Sequence, residues 1–95
     1  MEEKNSEAFY TRLKEQLWEN TSWPSKYLYK FIVPSDKDKV EQIHNIFNNT
    51  GAVITSKQSS KGTYTSVSIT VELENPDAVV AKYKEVAQVE GVISL

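Results

Sequence analysis

The sequence predicts an α+β fold of the ferredoxin-like type, a βαββαβ sandwich preceded by an extra amphipathic helix. Three observations carry that expectation. Tyr27, Tyr29, Phe31 and Val33 alternate with Leu28, Lys30 and Ile32, the two-residue period of a strand with one face in the core. Val67, Ile69, Val71 and Leu73 repeat that period against Tyr64, Ser66, Ser68, Thr70 and Glu72. Two stretches between and after these strands have helical spacing instead: Val40, Ile43, Ile46 and Phe47, then Val79, Val80, Tyr83, Val86 and Ala87. A chain of 95 residues has room for one such core and not for two.

The elements follow in order. Phe9, Leu13 and Leu17, widened by Tyr10 and Trp18, make an apolar stripe on a helix over 6–20, with Asn5 or Ser6 as its cap. Residues 1–22 are therefore read as a helix and connector, and 23–95 as the βαββαβ domain. An isolated helix of this length is marginal in water, so the stripe needs a surface, either the open face of the sheet or a second copy. Trp18 and Trp23 flank the connector and are read as anchors for that helix, the alternative being part of a partner surface.

The first strand covers 26–33. Pro34 ends it, and Ser35 with Asp38 resembles a capping box for the helix that follows. Gly51, after Asn48-Asn49-Thr50, closes that helix in the left-handed region. The stretch 52–58 is a polar edge strand with Val53, Thr55 and Lys57 on one face. Gly62 supplies positive φ in the hairpin turn 59–62, which leads into the strand 63–73. Asn75-Pro76-Asp77 is a helix start, with Asn75 as cap and Pro76 in the first turn. Gly91 precedes a short last strand over 92–95. Both crossover helices are expected on one side of the sheet, joining strands that lie next to each other in parallel.

Composition excludes several function classes. There is no Cys, hence no disulfide, thiol nucleophile or thiolate metal site. The formal charge of −2 does not supply the basic footprint that nucleic acid or an anionic membrane requires. The acidic start of the chain lacks the apolar run of a leader, which points to a cytoplasmic setting. His44 is the sole His and has no catalytic partner in the sequence. Asp36, Asp38 and Glu41 lack the glycine and ligand spacing of a calcium loop and are read as acids at a helix start. The expectation is a non-enzymatic protein without cofactor or metal.

Local strings resemble the YbeD-like family, domain of unknown function 493. The segment Trp23-Pro24-Ser25-Lys26-Tyr27-Leu28-Tyr29-Lys30-Phe31-Ile32-Val33 is similar to that family's opening strand. Ser59-x-x-Gly62-x-Tyr64-x-Ser66-Val67 is similar to its hairpin, and Tyr83 through Gly91-Val92-Ile93-Ser94-Leu95 to its tail. The resemblance covers about residues 23–95. It implies a fold like that of the regulatory domains called ACT, with no established biochemical activity. The chain departs from the pattern at Val33-Pro34-Ser35-Asp36, where a Gly is usual at the strand-to-helix loop.

Lys30, Tyr64 and Ser66 match pattern positions, and alternation places all three away from the core helices. They form the candidate binding surface, joined by Lys57 on the edge strand. Lys30 is expected to pair with Glu72 across the strands, to lay its stem over apolar surface, or to contact an anion or partner. The leading reading is a regulatory or protein-interaction module whose partner is an unidentified protein or a second copy. The alternative is an ACT-type sensor of an amino acid or related metabolite. RNA is disfavoured because the open face offers no aromatic pair for stacking bases.

Overall fold

The chain folds around β1 (Ser25–Pro34), a strand paired on both sides, in a computed structural model that describes residues 7–95. The other elements are α1 (Glu7–Asn20), α2 (Lys37–Ile46), β2 (Val53–Gln58), β3 (Tyr64–Leu73), α3 (Pro76–Val86) and β4 (Ile93–Ser94). The sheet order is β2-β3-β1-β4, and every pairing is antiparallel. This is the expected ferredoxin-like βαββαβ arrangement with one correction. Strands joined by a crossover helix run parallel but are not neighbours: β3 separates β1 from β2, and β1 separates β3 from β4. The tight hairpin fixes β3 beside β2. The full-length register from Ser25↔Leu73 to Pro34↔Tyr64 then gives β3 the place beside β1.

Alternation sorts β1 and β3 as expected. Tyr29, Phe31, Val33, Val67, Ile69 and Val71 are buried under the helices with Ile43, Phe47, Val79 and Val86. Tyr29 is the hub. Its ring lies 5.6 Å from Phe31, 5.2 Å from Phe47 and 4.9 Å from Tyr83, and its hydroxyl donates to the Val79 carbonyl at 2.9 Å. Tyr27 and Tyr83 join their hydroxyls at 3.0 Å. Lys82 ties the two crossover helices together by donating to the Ile46 carbonyl and standing 5.4 Å from the centre of the Phe47 ring.

The N-terminal helix does not cover the open face of the sheet; α1 packs on α3 within the helical layer. Tyr10 is buried, Phe9 meets Tyr83 edge-on at 6.4 Å, and Lys14–Asp77 and Lys84–Glu7 pair at 3.2 Å each. The connector decides the side. Trp23 packs against the core cluster, and its indole N–H donates to the Leu17 carbonyl at 3.1 Å, so the chain turns back over the helices. Trp23 is thus an anchor, whereas Trp18 is 55% exposed. Asn5 and Ser6, named as caps, lie outside the described residues.

A second correction concerns the start of α2. Asp36, not Ser35, is the cap: its backbone is extended and its carboxylate accepts from the Asp38 N–H at 2.9 Å. Ser35 is still held by the sheet, its N–H donating to the Thr63 carbonyl. At α3 the expected cap stands, with the Asn75 side chain accepting from the Ala78 N–H and Pro76 in the first turn. The last strand is shorter than expected, although the Leu95 N–H continues its ladder onto the Lys30 carbonyl.

Gly51, Gly62 and Gly91 all have positive φ, as does Asn49. At Gly62 a side chain would meet only Gln58 Oε1 at 4.0 Å, so the cost of adding one is purely that of the backbone. Gly62→Val should therefore destabilise by about 1 to 3 kcal/mol in urea unfolding. At Gly91 an added Cβ also falls 3.1 Å from the Pro34 ring, whereas at Gly51 it meets nothing within 4 Å. Gly91→Ala should thus cost more than Gly51→Ala; the reverse order would mean that the Pro34 contact yields freely.

Burial pushes the Tyr29 and Tyr83 hydroxyls well above the ordinary tyrosine range, helped at Tyr83 by the hydrogen bond to Tyr27. A folded pKa raised above the unfolded one gives stability that is complete below the unfolded value of about 10 and is lost as pH rises beyond it. In alkaline titration, phenolate absorbance from these two tyrosines should rise together with unfolding. Ionisation of all five tyrosines with the fold intact would contradict that coupling.

Candidate functional site

Because both crossover helices and α1 lie on one side, the other face of the sheet carries no element of the chain among the described residues. Register fixes which side chains share it. One row holds Lys57, Ser66, Ile32 and Ile93; the next holds Thr55, Ser68, Lys30 and, by continuation of the ladder, Leu95; a third holds Val53, Thr70 and Leu28. Small hydroxyl residues line β3, with Leu28, Lys30 and Ile32 of β1 on one side and Val53, Thr55 and Lys57 of β2 on the other. The result is a shallow trough along Ser66, Ser68 and Thr70, closed at the hairpin end by Tyr64.

The sequence-predicted residues come together here. Lys57, Tyr64 and Ser66 line one hollow of about 390 Å³ with Ile32, and Lys30 stands on the opposite wall one row further along. Lys30 faces Ser68 across the strands; Glu72 stands opposite Lys26, so the expected pairing of Lys30 with Glu72 does not occur. Among the described residues, neither Lys30 nor Lys57 has an ion pair. The face thus presents Lys26, Lys30 and Lys57 against Glu72 alone, on a chain whose formal charge is −2.

Sequence reasoning places Leu28 and Ile32 on this face but leaves them, with Val53, Ile93 and Leu95, out of the candidate surface. Leu28 is 60% exposed, Val53 66%, Ile93 53%, Leu95 61% and Tyr64 46%; of the large exposed apolar residues among those described, only Trp18 is elsewhere. The sign was available in the alternation itself, since Leu28, Ile32 and Ile93 occupy positions where a solvated sheet face carries polar residues.

A second concavity lies on the helical side, a cleft of about 620 Å³ between the start of α2 and the edge strand β2. Ser35, Asp36, His44, Ser56, Gln58 and Thr65 contribute to its wall. It exists because β2 puts Ser56 and Gln58, both exposed, where a core strand would put apolar residues. Inside it the Ser35 and Thr65 hydroxyls meet at 2.8 Å, with Thr65 only 5% exposed. No group of three or more His, Asp or Glu able to hold a metal ion occurs among the described residues. Nor is any helix there long and apolar enough to cross a membrane.

With this geometry in place, comparison with known proteins is informative. The sequence profile of a family described as "Protein of unknown function (DUF493)" matches residues 19–95. The chain belongs to that family. The YbeD-like resemblance is thereby borne out, and the match includes the whole sheet. A UPF0250 protein of Haemophilus influenzae (strain PittEE) is 64% identical over 36 residues, 38% of this chain and 39% of the relative. A UPF0250 protein of Shewanella sediminis is 50% identical over 38 residues, 40% and 43% of the two chains. The aligned stretches thus span about two fifths of these relatives. Among solved structures, the uncharacterized protein TM1266 from Thermotoga maritima is similar with a TM-score of 0.60 at 13% identity, over 75% of this chain and 94% of that one. That likeness supports the fold.

The Ser35–Thr65 pair gives a direct test of the cleft wall. Ser35→Ala should cost about 1 to 2 kcal/mol by leaving the buried Thr65 hydroxyl without its partner, and adding Thr65→Val should recover part of that loss. Strictly additive costs in chemical denaturation would show that the two hydroxyls do not depend on one another.

Proposed function

We propose that this chain is a small, non-enzymatic, cytoplasmic interaction module that regulates or assembles with another protein through the open face of its sheet. The observation that carries this reading is the concentration of exposed apolar side chains on the one face that, among the described residues, no element covers. Contiguous exposed apolar surface on a soluble domain marks a place where something else binds. Its composition suits a partner: aliphatic flanks, Tyr64 at one end, hydroxyls in the middle and two cations that have no ion pair among the described residues.

Lys30→Ala combined with Tyr64→Ala should abolish capture of the partner from cell extract with an unchanged melting temperature, since exposed substitutions of this kind cost within about 0.5 kcal/mol. Glu41→Ala with His44→Ala, on the helical side, should leave capture intact. Equal capture by wild type and the Lys30/Tyr64 variant would overturn the assignment of the surface.

The cleft between α2 and β2 favours a second reading, a sensor of an amino acid or related metabolite of ACT type. It lies at the strand-to-helix loop, where Ser35, Asp36 and His44 offer polar groups to a ligand, while Pro34 withholds the backbone N–H that another residue there would supply. Under this reading a metabolite screen should give a thermal shift that His44→Ala suppresses, and the Lys30/Tyr64 variant should keep it.

A further inference from the structure

The trough on the open face has a width, a charge pattern and a set of apolar flanks that together specify what fits it. β1 and β2 flank β3 at about 4.8 Å on either side, so the Lys30 and Lys57 side chains start about 10 Å apart across the strands, a separation that lets them reach the two flanks of an α-helix of about that diameter lying over β3. Lys57 is on one side and Lys30 on the other, offset by one row, or about 7 Å along the strands. Two residues five apart on a helix are separated by about 7.5 Å along its axis and by about 140° around it, which places them on opposite flanks of an apolar stripe. Leu28 and Val53 lie at one end of the trough and Ile32 and Tyr64 at the other, so an apolar stripe would be met along its length.

We propose that the trough receives an amphipathic helix of a partner protein, with an apolar stripe against Leu28, Ile32, Val53 and Tyr64 and carboxylates five residues apart on Lys30 and Lys57. This rests on the reading of the open face as the working surface and adds the chemistry of the partner. A second copy of this chain does not fit as well. A two-fold face-to-face packing lays each lysine-bearing face on another, with no acid but Glu72 in reach, and Glu72 stands opposite Lys26. Nucleic acid would use the lysines but not the aliphatic flanks, and Tyr64 is the lone aromatic on the face. A membrane would take the aliphatics, but Ser66, Ser68 and Thr70 run down the middle of the face between them, and a bilayer would leave those hydroxyls without the partners that a polar flank of a helix can bring.

The test uses the full chain and a synthetic helical peptide with leucines at helical spacing and two glutamates five apart flanking them. A version with lysines in place of the glutamates, a scrambled version, a single-stranded RNA and phosphatidylglycerol vesicles complete the set. The glutamate peptide should bind at least tenfold more tightly than the lysine peptide, weaken with salt, and shift backbone amides of Leu28, Lys30, Ser66 and Ser68 in NMR spectra. Lys30→Glu with Lys57→Glu should reverse the preference between the two peptides, an outcome that a merely destabilised face would not give. Equal binding of both peptides, binding of the scrambled peptide, tighter binding of RNA or vesicles, or no binding would each overturn the proposal. The extract-capture result for the Lys30/Tyr64 variant then shows whether the open-face reading has failed with it or stands without the acidic helix.

Discussion

Everything in this fold is arranged around the burial of Tyr29. It is the largest of the fully buried side chains, it touches the rings of Tyr27, Phe31, Phe47 and Tyr83, and its one polar atom is satisfied by the Val79 carbonyl of α3. A phenol hydroxyl taken out of water without a partner costs several kcal/mol on transfer scales that offer no hydrogen bond, so α3 must lie where Val79 can accept. That requirement fixes the distance and side of α3 relative to β1. α2 follows through the Phe47 ring and Lys82, and α1 follows α3 through Tyr83, Asp77 and Lys84. One buried tyrosine thus commits α2 and α3 to the same side, and α1 joins them through its contacts with α3 and the Trp23 connector.

The consequence is asymmetry. A sheet with helices on both faces would bury each strand on both sides and read as continuous apolar runs. Here the helical layer takes Tyr29, Phe31 and Val33 from β1 and Val67, Ile69 and Val71 from β3, and leaves every alternate residue to whatever lies beyond the sheet. For β3 those residues are Ser66, Ser68 and Thr70, but for β1 they include Leu28 and Ile32, and β4 adds Ile93. Leaving aliphatic side chains there forgoes the stabilisation that covering them would bring, about 1.5 to 3 kcal/mol for each one fully buried. The same positions would cost nothing as Thr or Lys, so folding alone does not account for them.

How much of this could be read in the sequence depends on how local the controlling physics is. Period-two alternation is set by the pleat, and it sorted the faces of β1 and β3 correctly without any knowledge of partners. The Asn75-Pro76 cap and the turn at Gly62 are decided within a few residues and were equally legible. The side on which α1 packs was not, because it depends on where the Trp23 indole finds the Leu17 carbonyl and on ion pairs to Asp77 and Lys84, residues more than fifty positions away. Lys30 was matched with Glu72 by charge, yet the register sets it against Ser68; register is a property of two strands and no single strand discloses it. Ser35 looked like a cap by spacing, but the sheet retains it through Thr63 and the role passes to Asp36. Lys30, Tyr64 and Ser66 were legible from alternation on β1 and β3, whereas the place of Lys57 beside Ser66 depends on the register of β2 with β3.

Charge gives the same asymmetry a direction. Around the helices, acids and bases answer one another: Glu7 with Lys84, Asp77 with Lys14, Glu85 with Lys82. On the open face, among the described residues, three lysines stand against one glutamate although the chain as a whole is acidic. A lysine kept at the surface for solubility can be placed at a loop or a sheet edge, and Lys57 on β2 would also serve to discourage edge pairing. Lys30 has neither excuse. It lies on the central strand, paired on both sides, between Leu28 and Ile32, where its ammonium must stand above aliphatic neighbours. A cation held among apolar side chains on a rigid strand keeps its water only while the face is bare. Any partner that covers the aliphatics must therefore either bring an acid to Lys30 or bear the cost of dehydrating it, and that condition excludes purely apolar partners from the face.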